Sequence, residues 1–238
     1  MSLIDRLDAR LYPGVTRNWD DELFRERILA RLDPGAWVLD LGAGAGIVAA
    51  MDLRGHAQRV CGIDPDPRVA ANPYLDEGLV GVGAALPYPD RAFDLVFADN
   101  LLEHLAEPRP VFREAARVLK PGGRFLVKTP NLWHYMPLIA RATPHGFHQR
   151  INRRRGRAAD DTFPTRYRVN TAAAISRFAA DAGLVAASIE SIEGRPEYLR
   201  LSASTYVLGW LYERLVNATP LLRRFRILLI AELVKPGP

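Results

Sequence analysis

Cysteine is nearly missing: the 238 residues contain one, Cys61. An internal disulfide framework is therefore excluded, and within its apolar run Cys61 reads as a small buried thiol in a reducing setting. Long apolar runs are missing as well. The longest uncharged stretch near the C-terminus, Leu201 to Tyr212, is far short of the ~20 residues that a membrane-spanning helix needs. Met1 to Arg6 alternates apolar with charged side chains and has no continuous apolar segment of the secretory kind, so a cytoplasmic setting is expected. There is no internal repeat or low-complexity tract.

Apolar residues make up 48% of the chain and charged residues 25%, the balance of a globular protein and not of a disordered or fibrous one. The length suits a single domain spanning 1–238 with a buried sheet. The net charge of +5 is compatible with nucleic acid, an acidic membrane surface or an anionic small substrate, and its placement must choose among them.

Residues 3 to 32 carry apolar side chains at helical spacing, with Leu23, Phe24, Ile28, Leu29 and Leu32 on one face and Asp20, Asp21, Glu22, Arg25 and Arg27 mostly on the other. This predicts an N-terminal helical cover over 1–33. Buried strands are expected at Ala36 to Leu41, Arg59 to Ile63, Phe93 to Ala98, Gly123 to Lys128, Leu184 to Ile192 and Ile227 to Val234, with helices at Pro110 to Leu119 and Thr171 to Ala182. That alternation is the pattern of an α/β sheet with helices on both faces. Two segments interrupt it, 131–170 and 194–226, and insertions at such places belong above the C-terminal strand ends, where α/β sheets bind ligands.

The first strand runs into Asp40-Leu41-Gly42-Ala43-Gly44-Ala45-Gly46 and then Ile47 to Met51. This reads as a strand, a glycine turn and a helix start. Glycines there permit unusual backbone angles and close approach of a nucleotide-like ligand. No phosphate-binding lysine follows, and Asp40 is a poor neighbour for a pyrophosphate but a good one for an ammonium group. Asp64, 24 residues beyond Asp40 at the tip of the second strand, is placed to accept hydrogen bonds from a ribose diol. An aspartate before Pro65 also suits an ordinary turn.

The succession D-L-G-A-G-A-G, G-I-D, A-L-P-Y-P-D-R-A-F-D-L-V, L-L-E-H-L and R-V-L-K-P-G-G-R-F, over roughly residues 36 to 130, resembles the class I S-adenosylmethionine-dependent methyltransferases, in particular the group similar to the ubiquinone-biosynthesis enzymes. The resemblance implies a Rossmann-like seven-stranded sheet, mostly parallel with its last strand antiparallel, and S-adenosylmethionine as cofactor. By the same resemblance Asp40, Gly42, Gly44 and Gly46 border the methionine end. Asp64 and Pro65 lie at the ribose, Leu86 flanks the adenine, and Asp99 and Asn100 line the methionine and the incoming nucleophile. Val82 stands where the family often has an acidic residue, so adenine recognition is left to backbone and packing.

Methyl transfer from a sulfonium needs an aligned nucleophile and, for a hydroxyl, a base. His104, in Leu101-Leu102-Glu103-His104-Leu105, is a candidate base, with a local helix-opening role as its alternative. Some relatives bind a divalent metal beside this Glu-His pair through a further acid, but Asn100 occupies that position, so no metal is expected. His134, His145, His148, Asp161 and Tyr167 form a second set among Trp133, Tyr135, Phe147 and Phe163, with eight arginines between Arg141 and Arg168. Of these, His134 and His148 are taken as catalytic candidates. The mixture suits a polar or anionic acceptor, small molecule or glycan. Thr129-Pro130-Asn131 and Asp161 to Arg168 also resemble bacterial methyltransferases of cell-surface glycan and lipid-linked sugar assembly, which implies O-methylation of a saccharide.

Two other readings stay open: a nucleic-acid methyltransferase, against which Ala98-Asp99-Asn100-Leu101 replaces the Asn-Pro-Pro-Tyr type of motif, and a non-catalytic protein that keeps the cofactor pocket. Nucleic acid is not the expected partner. Finally, Val207, Leu208, Leu211, Tyr212 and Leu215 share one helical face near Arg223, Arg224 and Arg226. It reads first as the core side of a helix and second as a surface for peripheral membrane contact.

Overall fold

The apolar runs become one seven-stranded sheet in the computed structural model, which describes residues 2–16, 18–142 and 164–237. Its strands are β1 (Trp37–Leu41), β2 (Arg59–Asp64), β3 (Glu77–Val80), β4 (Phe93–Asp99), β5 (Leu119–Pro130), β6 (Val185–Ile192) and β7 (Leu228–Val234), in the order β3-β2-β1-β4-β5-β7-β6. The first five pair in parallel, with Val38 opposite both Val60 and Leu95, and Val96 opposite Phe125. β7 runs the other way. Gly122 N donates to Lys235 O and Lys235 N to Gly123 O, both at 2.9 Å, so the end of β7 lies beside the start of β5. The Rossmann-like sheet with an antiparallel last strand, expected from the sequence, is present.

The strand order reverses at β1, and the turns that leave β1, β2 and β4 all open at the same edge, where such sheets hold ligands. β1 and β4 are buried on both faces. Against them pack α3 (Pro108–Val118) and α5 (Ala172–Asp181), through Phe112, Ala115, Ile175 and Ala179. Pro108 starts α3 at the position where a missing N–H costs nothing, and Thr171 Oγ1 accepts from Ala174 N at 3.1 Å to cap α5.

Two elements depart from expectation. β3 is an additional strand of four residues whose sequence carries no alternation, because a main-chain approach defines it: a Cβ on Gly78 would sit 2.1 Å from Val69 O. The helix expected after the glycine turn is only a single 3-10 turn, Ala49–Met51. Arg25 Nη1 binds the carbonyls of Ala50 (2.8 Å) and Asp52 (2.5 Å), taking acceptors that a continuing helix would use.

By chain contacts the molecule comprises two compact units. One consists of Asp20–Thr129, Thr165–Glu190 and Leu229–Pro238, and holds most of the sheet. The other consists of Met1–Trp19, Pro130–Pro164 and Ser191–Leu228, and holds α1 (Leu3–Leu11), α4 (Tyr135–Ala142) and α6 (Ala203–Ala218). The helical segment expected over residues 3 to 32 is formed as two helices, α1 and α2 (Trp19–Leu29). Tyr12-Pro13-Gly14 breaks it, since Pro13 has no N–H to donate and Gly14 turns at φ +79°.

The reading of α6 as a core helix through Val207, Leu208, Leu211 and Leu215 is also corrected. These four are exposed, and the buried face is Tyr206, Gly209, Glu213 and Val216. Polar anchors chose it. Tyr206 OH donates to Asp8 Oδ1 at 2.7 Å, Tyr12 OH donates to Glu213 Oε2 at 3.0 Å, and a Cβ on Gly209 would lie 2.5 Å from Pro196 Cβ.

Candidate functional site

The glycine turn leaves β1 by bonding back to β2: Gly42 N and Ala43 N donate to Ile63 O at 2.9 and 3.3 Å. Gly42, Gly44 and Gly46 all have positive φ, at +90°, +52° and +72°. Their surroundings differ. A Cβ on Gly44 would meet nothing within 4 Å, so the turn presents bare backbone to open space there, whereas one on Gly46 would meet Asn72 Oδ1 at 2.4 Å. Asn72 is the clamp of the turn: its Nδ2 donates to Ala43 O at 3.0 Å and Gly44 O at 3.3 Å.

Asp64, at the tip of β2, takes Gly44 N on Oδ2 at 3.0 Å and Asp66 N on Oδ1 at 2.8 Å. Its carboxylate therefore braces the turn, and each oxygen keeps a further lone pair for a hydroxyl donor. Pro65 beside it is exposed. Register places Val80 of β3 opposite Asp64, and Val80, Val82 and Ile47 are exposed apolar side chains around this edge. Leu86 is buried, and its main chain is engaged by Glu114 Oε2 (from Leu86 N, 2.7 Å) and by Arg117 Nη2 (to Leu86 O, 3.0 Å).

Asp40 and Asp99 lie at the ends of the adjacent strands β1 and β4, Asp40 buried and the Asp99 side chain 12% exposed. Burial pushes the Asp40 carboxyl well above the usual carboxylate range, and the negative charges of Asp99 and Asp64 push it further. Burial likewise raises Asp99 to about 6, against the lowering effect of Lys128. Lys128 Nζ lies 2.9 Å from Asp99 Oδ1 as an ion pair. Beyond Lys128, neither Asp99 oxygen has a hydrogen-bond partner among the described residues. Lys128 also pairs with Asp21, and with Asp20 at 3.3 Å. Burial alone would lower the Lys128 pKa, but the three carboxylates raise it, so the ammonium stays charged at 0% exposure.

The edge thus brings together Asp40, Gly42, Gly44, Gly46, Asp64 and Asp99. Asn100 follows with a left-handed backbone, φ +51°, its N–H bonded to Lys128 O at 2.9 Å. Sequence reasoning missed Lys128, Asn72, Asp20 and Asp21. Asp20 and Asp21, placed on the outer face of the N-terminal helix, turn inward to Lys128. A signal existed in Phe125-Leu126-Val127-Lys128, since a lysine that ends a buried strand requires carboxylate partners.

The histidine candidates separate. His104 is half-buried in a 3-10 turn, Leu102–His104. Its neighbour Glu103 accepts from Thr129 Oγ1 at 2.9 Å, Asn170 Nδ2 donates to Thr129 Oγ1 at 2.6 Å, and Glu103 O takes Arg166 N and Tyr167 N at 2.6 and 3.1 Å. This network fastens the start of the segment 165–190 to the turn after β4. His134 belongs to the other unit, 1% exposed. Burial depresses its pKa to about 3, Nδ1 accepts from Met136 N at 3.2 Å, and Nε2 lies 3.5 Å from Glu193 Oε2. His145, His148, Asp161, Phe147 and Phe163 lie outside the described residues.

Part of the chain is similar in sequence, and the whole in fold, to known proteins. Residues 39–127 match the family model for a methyltransferase domain. A protein named "probable S-adenosylmethionine-dependent methyltransferase" from Mycolicibacterium smegmatis is 37% identical over 127 residues, covering 51% of this chain and 48% of its own. Demethylmenaquinone methyltransferase of Corynebacterium glutamicum is 33% identical over 132 residues, 50% of this chain and 57% of its own. The chain spans about half the length of the curated relatives it matches. In structure it is similar, with a TM-score of 0.62 over 99% of this chain and 96% of the other at 23% identity, to a chain from the complex of the Haloferax volcanii Trm112 activator with a methyltransferase. That likeness shows the fold. Over residues 39–127 the chain is thus similar to methyltransferase domains, and its sequence relatives include one named as an S-adenosylmethionine-dependent methyltransferase.

Proposed function

We propose that this chain binds S-adenosylmethionine at the C-terminal ends of β1, β2 and β4 and transfers its methyl group to an oxygen of a polar or anionic acceptor, a small molecule, saccharide or lipid-linked sugar. The observation that carries the cofactor half is the crowding of acids at this edge, the buried Asp40 carboxyl and Asp99, whose counter-charge Lys128 is shared with two other carboxylates, beside bare backbone at Gly44. An excess of acids over the one ammonium, next to an open glycine turn, fits a ligand that carries an ammonium and a sulfonium, and does not fit a pyrophosphate.

When bound, the cofactor supplies an activated methyl; the protein's part is positioning and proton transfer. Asp40, Gly42, Gly44 and Gly46 would hold the methionine end, Asp64 and Pro65 the ribose, and Leu86 the adenine side together with exposed Val80 and Val82. Asp99 and Asn100 would border the acceptor. His104, one 3-10 turn beyond β4, would take the hydroxyl proton.

The acceptor half rests on the composition of 131–170, where eight arginines between Arg141 and Arg168 stand among histidine and aromatic residues. Isothermal calorimetry with S-adenosylhomocysteine tests the first half, and micromolar binding is the expected result; none would sink it. Labelled S-adenosylmethionine incubated with saccharide and lipid-linked pools tests the second half, and label in a carbon-bound methyl would overturn the oxygen assignment.

A further inference from the structure

The outward face of α6 has no role in the proposed reaction, and it combines three features. Leu208, Leu211 and Leu215, spaced i, i+3 and i+7, are 63%, 51% and 57% exposed, and Leu221, in the 3-10 turn that follows, is 83% exposed. Isolated exposed leucines are ordinary, but a leucine row along a whole helix face is not.

The second feature is the charge beside the row. The single carboxylate of α6, Glu213, is buried and accepts from Tyr12 OH and Asn217 Nδ2. Asp8 and Glu197 of the same unit are engaged by Arg195 and Arg200. Arg214 pairs with Glu213 at 3.2 Å and stacks over Trp210 at 5.9 Å, while Arg223 and Arg224 are exposed, with Arg224 over Phe225 at 4.8 Å. Third, the helix is anchored from behind by Tyr206 to Asp8 and by the close approach at Gly209, so the leucine row is held rigidly outward.

We infer that this face docks the protein on an anionic lipid bilayer, with α6 lying in the plane of the interface, its leucines in the acyl boundary and Arg223 and Arg224 at the phosphates. Charge complementarity selects this occupant: a row of leucines bordered by exposed Arg223 and Arg224, on a helix whose one carboxylate is buried, matches a surface that is apolar inside and negative at the rim. Among the described residues no helix is long and apolar enough to cross a membrane, which accords with a helix that lies on one. The inference goes beyond the acceptor assignment and does not depend on it.

Co-sedimentation of the full chain with vesicles tests it. Phosphatidylcholine vesicles containing phosphatidylglycerol should bring the protein down, and vesicles of phosphatidylcholine alone should retain much less. Leu208→Gln/Leu211→Gln should weaken partitioning by about tenfold or more, the loss of two apolar side chains from the boundary. Arg223→Gln/Arg224→Gln and added salt should weaken it on anionic vesicles only. Because all four positions are exposed, both variants should keep the wild-type thermal transition; if the leucine variant does not fold, the arginine variant and the salt series decide. Absence of binding to anionic vesicles, or binding that neither salt nor the arginine change reduces, overturns the inference. So does a stable dimer that Leu208→Gln/Leu211→Gln converts to monomer, which would assign the face to a second copy.

Discussion

Lys128 keeps its charge in complete burial because Asp20, Asp21 and Asp99 surround it, whereas His134 and Glu193 lie 3.5 Å apart in the other unit and are both driven to their neutral forms, His134 to about 3 and Glu193 to about 8. Nearness of an opposite charge does not decide the matter; the number of counter-charges against the cost of desolvation does. Around Lys128 the acids outnumber the base, and Asp40 adds to the excess. That edge is therefore short of positive charge, which a cationic ligand can supply. The His134 group has no such deficit: Nδ1 takes Met136 N, Glu193 takes Ile227 N at 2.9 Å, and Tyr135 and Tyr212 pack edge to face at 4.9 Å. It reads as a neutral core of its unit.

Lys128→Met should strand three carboxylates and cost about 3–5 kcal/mol of stability, measured as a fall in the urea midpoint; a loss below about 1 kcal/mol would mean that the cluster is hydrated and not a buried ion network.

In the other unit, Glu193→Gln copies the protonated acid. Folded Glu193 holds its proton up to about pH 8, while the unfolded carboxyl releases it near its ordinary value of 4.5. The extra stability of the wild type is full below the lower value and is lost as pH rises towards the upper one. The variant should therefore match wild type near pH 4 and exceed it near pH 9 by on the order of 1–3 kcal/mol. Parallel pH profiles of the two unfolding midpoints would show Glu193 to be charged.

Asp64→Ala removes two brace bonds from the turn and, on the proposed reading, the acceptors for two ribose hydroxyls. Cofactor affinity measured by calorimetry should fall by roughly 10- to 100-fold, and an unchanged value would displace the ribose from β2. The smallest effect expected is a pH dependence of that affinity. Since Asp99 titrates near 6 and a cationic ligand needs it ionised, affinity should weaken below pH 6 by up to about tenfold per unit. A flat profile between pH 5 and 7 would detach Asp99 from the ligand.

Most strands and their order of use were legible because each is a short apolar run between turn residues, and burial on both faces leaves that mark whatever its neighbours are. β3 was not, since Gly78 makes its place by main-chain approach to Val69. The glycine turn and Asp64 stood out because positive φ and strand-tip carboxylates restrict residue type locally. Lys128 and Asn72 did not, because their partners lie 107 and 29 residues away along the chain, at Asp21 and Ala43.

On its own, then, the sequence determined the sheet, the glycine turn at its edge and the acids that flank it, because local backbone angle and burial of apolar runs are written in consecutive residues. Only the tertiary structure decided which face of α6 is buried, that Asp20 and Asp21 turn to Lys128, and that His134 is a neutral interior group. The first two depend on polar anchors remote in the chain, Asp8 for Tyr206 and Lys128 for the two aspartates, and the third on burial. Helical periodicity counts apolar residues and is blind to a buried hydrogen bond worth as much as the leucine it displaces.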